Sequence, residues 1–336
     1  MRVATYNIEW FNALFDDTGA PLVDGEWSGR WNVTRATQLE AVAHVLRALD
    51  ADAVMIIEAP DTSRHRSATA ALEQFAAWAG LRARKAVLGF VNDTQQEIAL
   101  IYDPDRVGAV HDPQEAPDAP KFDGVLQIDL DVDAREDHVR FSKPPLELAV
   151  TDPHGAVLRL IGAHLKSKAP HGAGDARAVL KASIANRRKQ LAQAIWLRRR
   201  TEQHLAAGEA LIVLGDLNDG PGLDAYEHLF GRSSVEIVLG EGQALQLHDP
   251  HARQALAQKI GAVHTTSRFF MRHEQRYMQA LLDYIMVSPE VMSRAPVWRI
   301  WHPFDDPQCW DDKVLGAALL AASDHFPVTL DIGPAS

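Results

Sequence analysis

Eight polar residues stand at or beside the ends of short apolar runs: Asn7, Glu58, His164, Asp216, Asn218, Asp283, Asp324 and His325. Several carboxylates buried together are costly unless positive charge sits among them. Oxygen-rich sets of carboxylates and amides suit Mg²⁺ or Mn²⁺, which also keep waters. A divalent cation there would offset the charge that builds on phosphoryl and leaving oxygens when a phosphate ester is hydrolysed. An imidazolium held by a carboxylate would add a donor aimed at the same charge. Each general acid or base contributes typically ~10²–10⁴-fold.

These residues need elements that deliver them to one place. Val3 to Trp10 carries Asn7, and Asp52 to Glu58 ends in Glu58 after Val54, Met55, Ile56 and Ile57. Arg159 to Lys166 carries His164, Ala210 to Asn218 carries Asp216 and Asn218, and Leu281 to Val287 carries Asp283. Four to eight apolar residues bounded by turn formers read as buried strands. Phe326, Val328, Leu330 and Ile332 alternate with other residues, as in a final half-buried strand. Helical spacing links Leu39, Val42, Leu46 and Leu49, and also Ala68, Ala71, Leu72, Phe75 and Trp78. Arg187 to Leu205 reads as a longer helix with Leu191, Ala194 and Ile195 inward. Strands mix with helices throughout, without a Pro/Ser-rich linker, a repeat or a low-complexity tract, so one α/β domain over residues 1–336 is expected. Asp103 to Phe122, Ser167 to Asp175 and Trp301 to Asp312 read as loops.

At this point the residues resemble a family. Asn7-Ile8-Glu9-Trp10, Ile57-Glu58, Ala163-His164-Leu165-Lys166-Ser167, Gly215-Asp216-Leu217-Asn218-Asp219, Leu282-Asp283-Tyr284-Ile285 and Ser323-Asp324-His325-Phe326-Pro327-Val328 are similar to motifs of the endonuclease/exonuclease/phosphatase superfamily, in that family's order. The group includes DNase I-like nucleases, abasic-site endonucleases, inositol polyphosphate phosphatases and neutral sphingomyelinases. Phe141 to Leu146 also resembles a family segment, with Lys143 where Arg is usual. The resemblance implies a DNase I-like four-layer α/β/β/α sandwich: two mixed β-sheets face to face, with helices outside.

It also implies roles. Glu58 would be the principal ligand of Mg²⁺ or Mn²⁺, with Asn7 beside it and Asp324 assisting. Asp216 would orient or deprotonate the attacking water, and Asn218 would hold that water or a phosphate oxygen. His325 would donate to the phosphate, with Asp283 fixing its ring. His164 matches a second histidine of the DNase I and phosphodiesterase branches, and Glu97 resembles that histidine's carboxylate partner. Abasic-site endonucleases usually carry Tyr at the position of His164.

Composition bounds the partners. The chain has 336 residues, 46% hydrophobic and 24% charged, which is ordinary globular composition. A net charge of -11 argues against sequence-blind grip on DNA through a basic surface. Lys166, Arg187 and Arg188 are the candidate substrate contacts, while Arg198-Arg199-Arg200 on the same helix reads as a solvated face. Trp298, Trp301 and Trp310 fit core or loop packing better than stacking on a ligand. His248-Asp249-Pro250-His251 reads as a polar loop, and the single cysteine, Cys309, lacks a base partner that would make it a nucleophile. No apolar run approaches a membrane span and no signal peptide opens the chain, so a cytoplasmic protein without a membrane anchor is expected. No protein partner is evident. The leading expectation is a metal-dependent phosphodiesterase, most specifically a nuclease. The alternatives are a phosphatase or phospholipase-C-type hydrolase of a small phosphoester such as an inositol phosphate or sphingomyelin, and a catalytically silent binding module.

Overall fold

In the computed structural model the chain is described at residues 1–92, 94, 96–129, 137–169, 176–220, 231–257, 264–271 and 274–334. The last part of the expected Ser167–Asp175 loop, residues 170–175, lies outside these.

The apolar runs become the central strands of two mixed sheets. One has six strands in the order β14 (Val297–Ile300), β15 (Val328–Asp331), β1 (Arg2–Asn7), β2 (Ala53–Ala59), β4 (Glu97–Tyr102), β3 (Lys85–Leu88). The other has five, in the order β13 (Asp283–Val287), β10 (Leu211–Asp216), β9 (Val157–His164), β8 (Leu146–Thr151), β5 (Gly108–His111). Two hairpins stand apart: β6 (Leu126–Ile128) with β7 (Asp137–Val139), and β11 (Ser267–Met271) with β12 (Arg276–Ala280).

Both central pairs are parallel, β1 with β2 and β9 with β10. A parallel pair needs a crossover. Helices α1 (Arg35–Leu49) and α3 (Ala176–Ala206) lie in the two connections. Thr34 caps the start of α1, accepting from the Thr37 backbone N–H. Helix α2 (Ala68–Ala79) starts on Ser67 in the same way and stops at Gly80. Parallel strands point their C-terminal ends to one edge, which is how Asn7, Glu58, His164 and Asp216 come to share a rim.

Strands buried on both faces explain the unbroken apolar runs. Val3, Met55, Ile57 and Leu100 join Leu148, Leu160 and Ile285 in one core. Ala4, Tyr6, Val54 and Ile56 face the opposite way, into a second core with α1, α2 and the helix Lys313–Ala322. Helix α3 covers the other sheet. Its Trp196 is fully buried against Phe122 and Phe141 and donates to the Pro120 carbonyl at 3.0 Å. The four-layer α/β/β/α sandwich expected from sequence is therefore the fold. Among the described residues no helix is long and apolar enough to cross a membrane.

Three expectations need correcting. The Asp103–Phe122 segment contains strand β5, whose pattern is half-exposed because it is an edge strand. The Trp301–Asp312 segment contains the short helix Pro307–Asp311, started by Pro at its first position and capped by Asp306. Arg198 and Arg200 do not form a solvated face. Both are buried. Arg200 lies 2.8 Å from Glu147, and Arg198 pairs with Glu202 and donates to the carbonyls of Val238 and Leu245.

Candidate active site

The two sheets bring their strand-end residues to one rim by register. In the five-stranded sheet Asp216 pairs with His164 on one side and with Asp283 on the other, so three reactive side chains lie on a single rung. Residues two apart share a sheet face. Gly162, two before His164, therefore faces the other sheet. A Cβ there would come within 2.5 Å of Met55 Sδ. In the six-stranded sheet Asn7 pairs with Ile57. Regular alternation would turn Glu58 outward with Val54 and Ile56. Instead the register shifts between Ile57 and Ala59, and Glu58 takes φ +64°. This bulge re-aims the carboxylate into the cleft.

Gly215, just before Asp216, has φ +132°, and a Cβ there would sit 2.1 Å from the Ala163 carbonyl oxygen. Only glycine lets β10 approach β9 this closely. Asn218 turns the chain back with φ +50° and donates its backbone N–H to Asp216 Oδ1 at 2.7 Å. Its side-chain Nδ2 donates to the Leu165 carbonyl at 3.0 Å and to Asp216 Oδ2 at 3.2 Å. Asn7 Nδ2 reaches the same Oδ2 at 3.0 Å. Asp216 is thus a fully braced, buried carboxylate. Burial raises its pKa against the pull of His325, and Asp283 adds to the rise.

His325 Nδ1 lies 2.7 Å from Asp283 Oδ2. Burial works against its protonation, but Asp283, Asp216 and Asp324 together raise its pKa well above the ordinary histidine value. Thr266 Oγ1 accepts from the Asp283 backbone at 2.9 Å, and Phe326 N–H donates to the Thr266 carbonyl at 2.6 Å, so one residue ties both partners down. His164 behaves oppositely. Burial first, then Lys143, His325 and Lys166, drive its pKa well below the ordinary value. Lys143 Nζ lies 3.2 Å from His164 Nδ1. An ammonium only donates, so Nδ1 carries the lone pair and Nε2 carries the hydrogen, 3.7 Å from Asp216 Oδ2.

These groups surround one cleft of about 810 Å³. Asn7, Glu58, His164, Lys166, Asp216, Asn218, Asp324 and His325 line it, and Asp283 stands behind His325. Three sequence candidates are placed elsewhere. Glu97 points away from the cleft, accepting from Asn92 Nδ2 at 2.5 Å, and burial pushes its carboxyl up to about 7. The pairing with His164 implied by resemblance is not made; Lys143 occupies that ring nitrogen. Arg187 is buried within α3's packing, 2.5 Å from Asp219 Oδ2, and Arg188 pairs with Asp137 at 3.2 Å. They brace the fold beside the site rather than line it.

Several lining residues had no assigned role from sequence. Gln96, beside Glu97, donates to Glu58 and accepts from Lys143. Lys143 itself lies 4.0 Å from Glu58. Glu9, two residues after Asn7, pairs with Arg30, and burial with Asp324 and Glu58 raises its pKa. Trp10, Phe269, Met271 and Met278 add apolar surface. The alternation of a strand beginning at Glu97 was the available signal for Gln96. Of the remaining candidates, Trp301 is buried with Nε1 donating to Thr329, and Trp298 donates to the Ile285 carbonyl at 2.7 Å. The expected polar loop at His248–His251 is instead the start of a helix, Pro250–Ala257, where Asp249 accepts from the backbones of His251 and Ala252. Burial pushes the Cys309 thiol up to about 12, which fits an inert side chain.

The donor set fits a hard divalent cation. Asn7 uses Nδ2 on Asp216, which leaves its Oδ1 buried without a hydrogen-bond partner among the described residues. Glu58 is raised in pKa by burial and by nearby Asp324, the environment a cation would relieve. Asp216, Asp283 and His325 also bring ligand atoms within 4.8 Å of one another. In that group the imidazolium of His325 already supplies positive charge; Asn7, Glu58 and Asp324, which line the same cleft, are a second set that could hold a cation.

The chain belongs to the Endonuclease/Exonuclease/phosphatase family, whose profile matches residues 4–325. Members of this family are phosphoester hydrolases. Solved structures with a similar fold include TDP2 from C. elegans, at 16% identity and TM-score 0.51, covering 99% of this chain and 75% of that one. The 3' phosphatase NExo from Neisseria, bound to product DNA hairpin, matches at 17% identity and TM-score 0.50 over 99% of this chain and 100% of that one. D. rerio TDP2 complexed with single strand DNA product matches at 12% identity and TM-score 0.51 over 98% and 97%. Among curated proteins no significant match is found.

Proposed function

We propose that this chain is a Mg²⁺- or Mn²⁺-dependent phosphodiesterase that cleaves nucleic acid, and that residues 1–336 act as one catalytic unit. The observation that carries this reading is the convergence of Asn7, Glu58, Asp216, Asn218, Asp324, His164 and His325 on one cleft, from both sheets and both ends of the chain. The DNA products bound to two of the structural neighbours support nucleic acid as the substrate class.

A cation held by Asn7, Glu58 and Asp324 would supply Lewis-acid neutralisation of the phosphoryl charge. The side chains do the rest. Asp216, held by Asn7 and Asn218, accepts the proton of the attacking water and keeps it aligned with phosphorus. His325, held protonated by Asp283, donates to a phosphoryl oxygen and stabilises charge that grows in the transition state. His164 presents Nε2–H as a neutral donor beside it. Both Nδ2 hydrogens of Asn218 are already in use, so its part is to position Asp216, with Oδ1 left for the water.

A small phosphoester is the second reading. Lys143, Lys166 and Lys168 line the cleft, Lys168 also pairing with Asp219, and cations there suit a multiply charged head group, while Arg187 and Arg188 lie off the cleft. The discriminating experiment incubates the purified protein with Mg²⁺ or Mn²⁺ and plasmid, single-stranded DNA, RNA, bis-p-nitrophenyl phosphate, inositol phosphates and sphingomyelin. Cleavage of an oligonucleotide, abolished by EDTA, is expected. Turnover of an inositol phosphate or sphingomyelin with intact nucleic acids would transfer the assignment to the second reading. Metal binding without turnover of any of them would leave a silent binding module.

A further inference from the structure

We propose that Trp10 is a preformed stacking platform for a nucleobase next to the scissile phosphate, an inference that rests on the nucleic-acid reading above. Trp10 lines the cleft beside Asn7, Glu58 and Asp324, yet it remains 45% exposed. Its posture is built rather than adventitious. The residue adopts φ +60°, a left-handed backbone that a bulky side chain rarely takes, immediately after Glu9. One side of the indole lies on Gly29. A Cβ at Gly29 would fall 2.4 Å from Trp10 Cγ and 2.6 Å from Cδ2, so only glycine leaves room for the ring. The polar edge is anchored as well. Nε1 donates to Glu9 Oε1 at 2.9 Å, Glu9 pairs with Arg30, and Arg30 donates to the Leu320 carbonyl at 3.1 Å.

An indole fixed along its edge and on one face offers the other face to the cleft. A flat π-surface a few side chains from the phosphate-binding groups fits a base attached to that phosphate. Stacking of this kind tolerates every base, because each has a π-face. It also adds affinity without positive charge, which matters for a chain of net charge -11. Trp27 and Trp31, 66% and 88% exposed on the same loop, extend apolar surface outward. They make a lipid surface the occupant to be tested against.

The test is a cycle of two deletions, one in the protein and one in the ligand. Binding of a short fluorescent thymidine oligomer is compared with that of an abasic oligomer of the same length, both with phosphorothioate linkages, in Mg²⁺. The parent protein is expected to bind the base-bearing oligomer about 10- to 100-fold more tightly. Trp10→Ala is expected to bring that ratio close to about 1, and Trp10→Phe to keep most of it. Gly29→Ala displaces the ring without removing it and is expected to lower the ratio as well. Binding of the abasic oligomer by the variants reports that the rest of the cleft is intact. An equal base preference in Trp10→Ala and the parent protein overturns the platform while leaving the nuclease reading in place. Failure of the parent protein to bind either oligomer removes the nucleic-acid reading and the platform with it. Phosphatidylcholine vesicle binding that is lost in Trp10→Ala, with no base preference in the parent, would assign the tryptophans to a membrane instead.

Discussion

Arg187→Gln separates structural from substrate-binding roles on α3. Arg187 and Asp219 are each only 1% exposed, and the guanidinium also bonds Gln190 Oε1 at 2.7 Å and the Arg232 carbonyl at 3.2 Å. Asp219 Oδ2 accepts from the Ser234 backbone at 2.6 Å, and Lys168 holds Oδ1 at 2.7 Å. Removing one partner of a buried pair typically costs about 3–5 kcal/mol. Lys168 stays in place, so the lower end, about 3 kcal/mol, is expected in a denaturant unfolding curve. KM for an oligonucleotide should change less than about threefold, since Arg187 lies off the cleft. A pH signature accompanies the loss. Burial disfavours the Asp219 carboxylate, but Lys168 and Arg187 outweigh it and depress its pKa. A depressed carboxylate contributes stability that is present above its unfolded value of about 3.9 and is lost as pH falls through the folded value. In Arg187→Gln the folded value rises toward the unfolded one, so the acid-sensitive increment shrinks and what remains is lost at a higher pH than in the parent. Unchanged stability together with a raised KM would refute this reasoning and return Arg187 to the substrate.

Gly215→Ala is expected to cost more than about 3 kcal/mol, because both φ +132° and the 2.1 Å approach to the Ala163 oxygen forbid a Cβ; a shift under about 1 kcal/mol in chemical denaturation would contradict that geometry. Asp283→Asn is expected to lower kcat by about 10²–10⁴-fold with a small change in KM, through loss of the orienting charge on His325; steady-state kinetics on an oligonucleotide check it. Lys143→Met is expected to lower kcat/KM by at least about tenfold, and Lys143→Arg to recover most of it, because the cation that faces both Glu58 and His164 is restored. Equal activity of the Met and Arg variants would show that the charge is not used.

The strand cores and the edge residues were legible because buried strands write themselves as apolar runs, and a charged group ending such a run stands out. Asn7, His164, Asp216 and Asp283 follow from that pattern. What was not legible depends on where a side chain turns. Gln96 immediately precedes β4 and Glu97 is its first residue; one meets the cleft and the other bonds Asn92, and the sequence does not mark which. Glu58 reaches it only through a bulge that reverses its alternation. Arg187 reads as a substrate contact and Arg200 as part of a solvated face because their true partners, Asp219 and Glu147, lie far away in the chain. Edge elements such as β5 and the β11–β12 hairpin carry short, half-exposed patterns, which alternate too weakly to announce a strand.

Metal binding tests the central claim most directly. Titration of Mn²⁺ into the metal-stripped protein, followed by calorimetry, should show a site whose affinity falls at least about tenfold in Glu58→Gln. Oligonucleotide hydrolysis should vanish on chelation and return with Mg²⁺ or Mn²⁺. Hydrolysis that survives EDTA, or equal Mn²⁺ affinity in the parent and Glu58→Gln proteins, would contradict a cation-assisted reaction at this cleft.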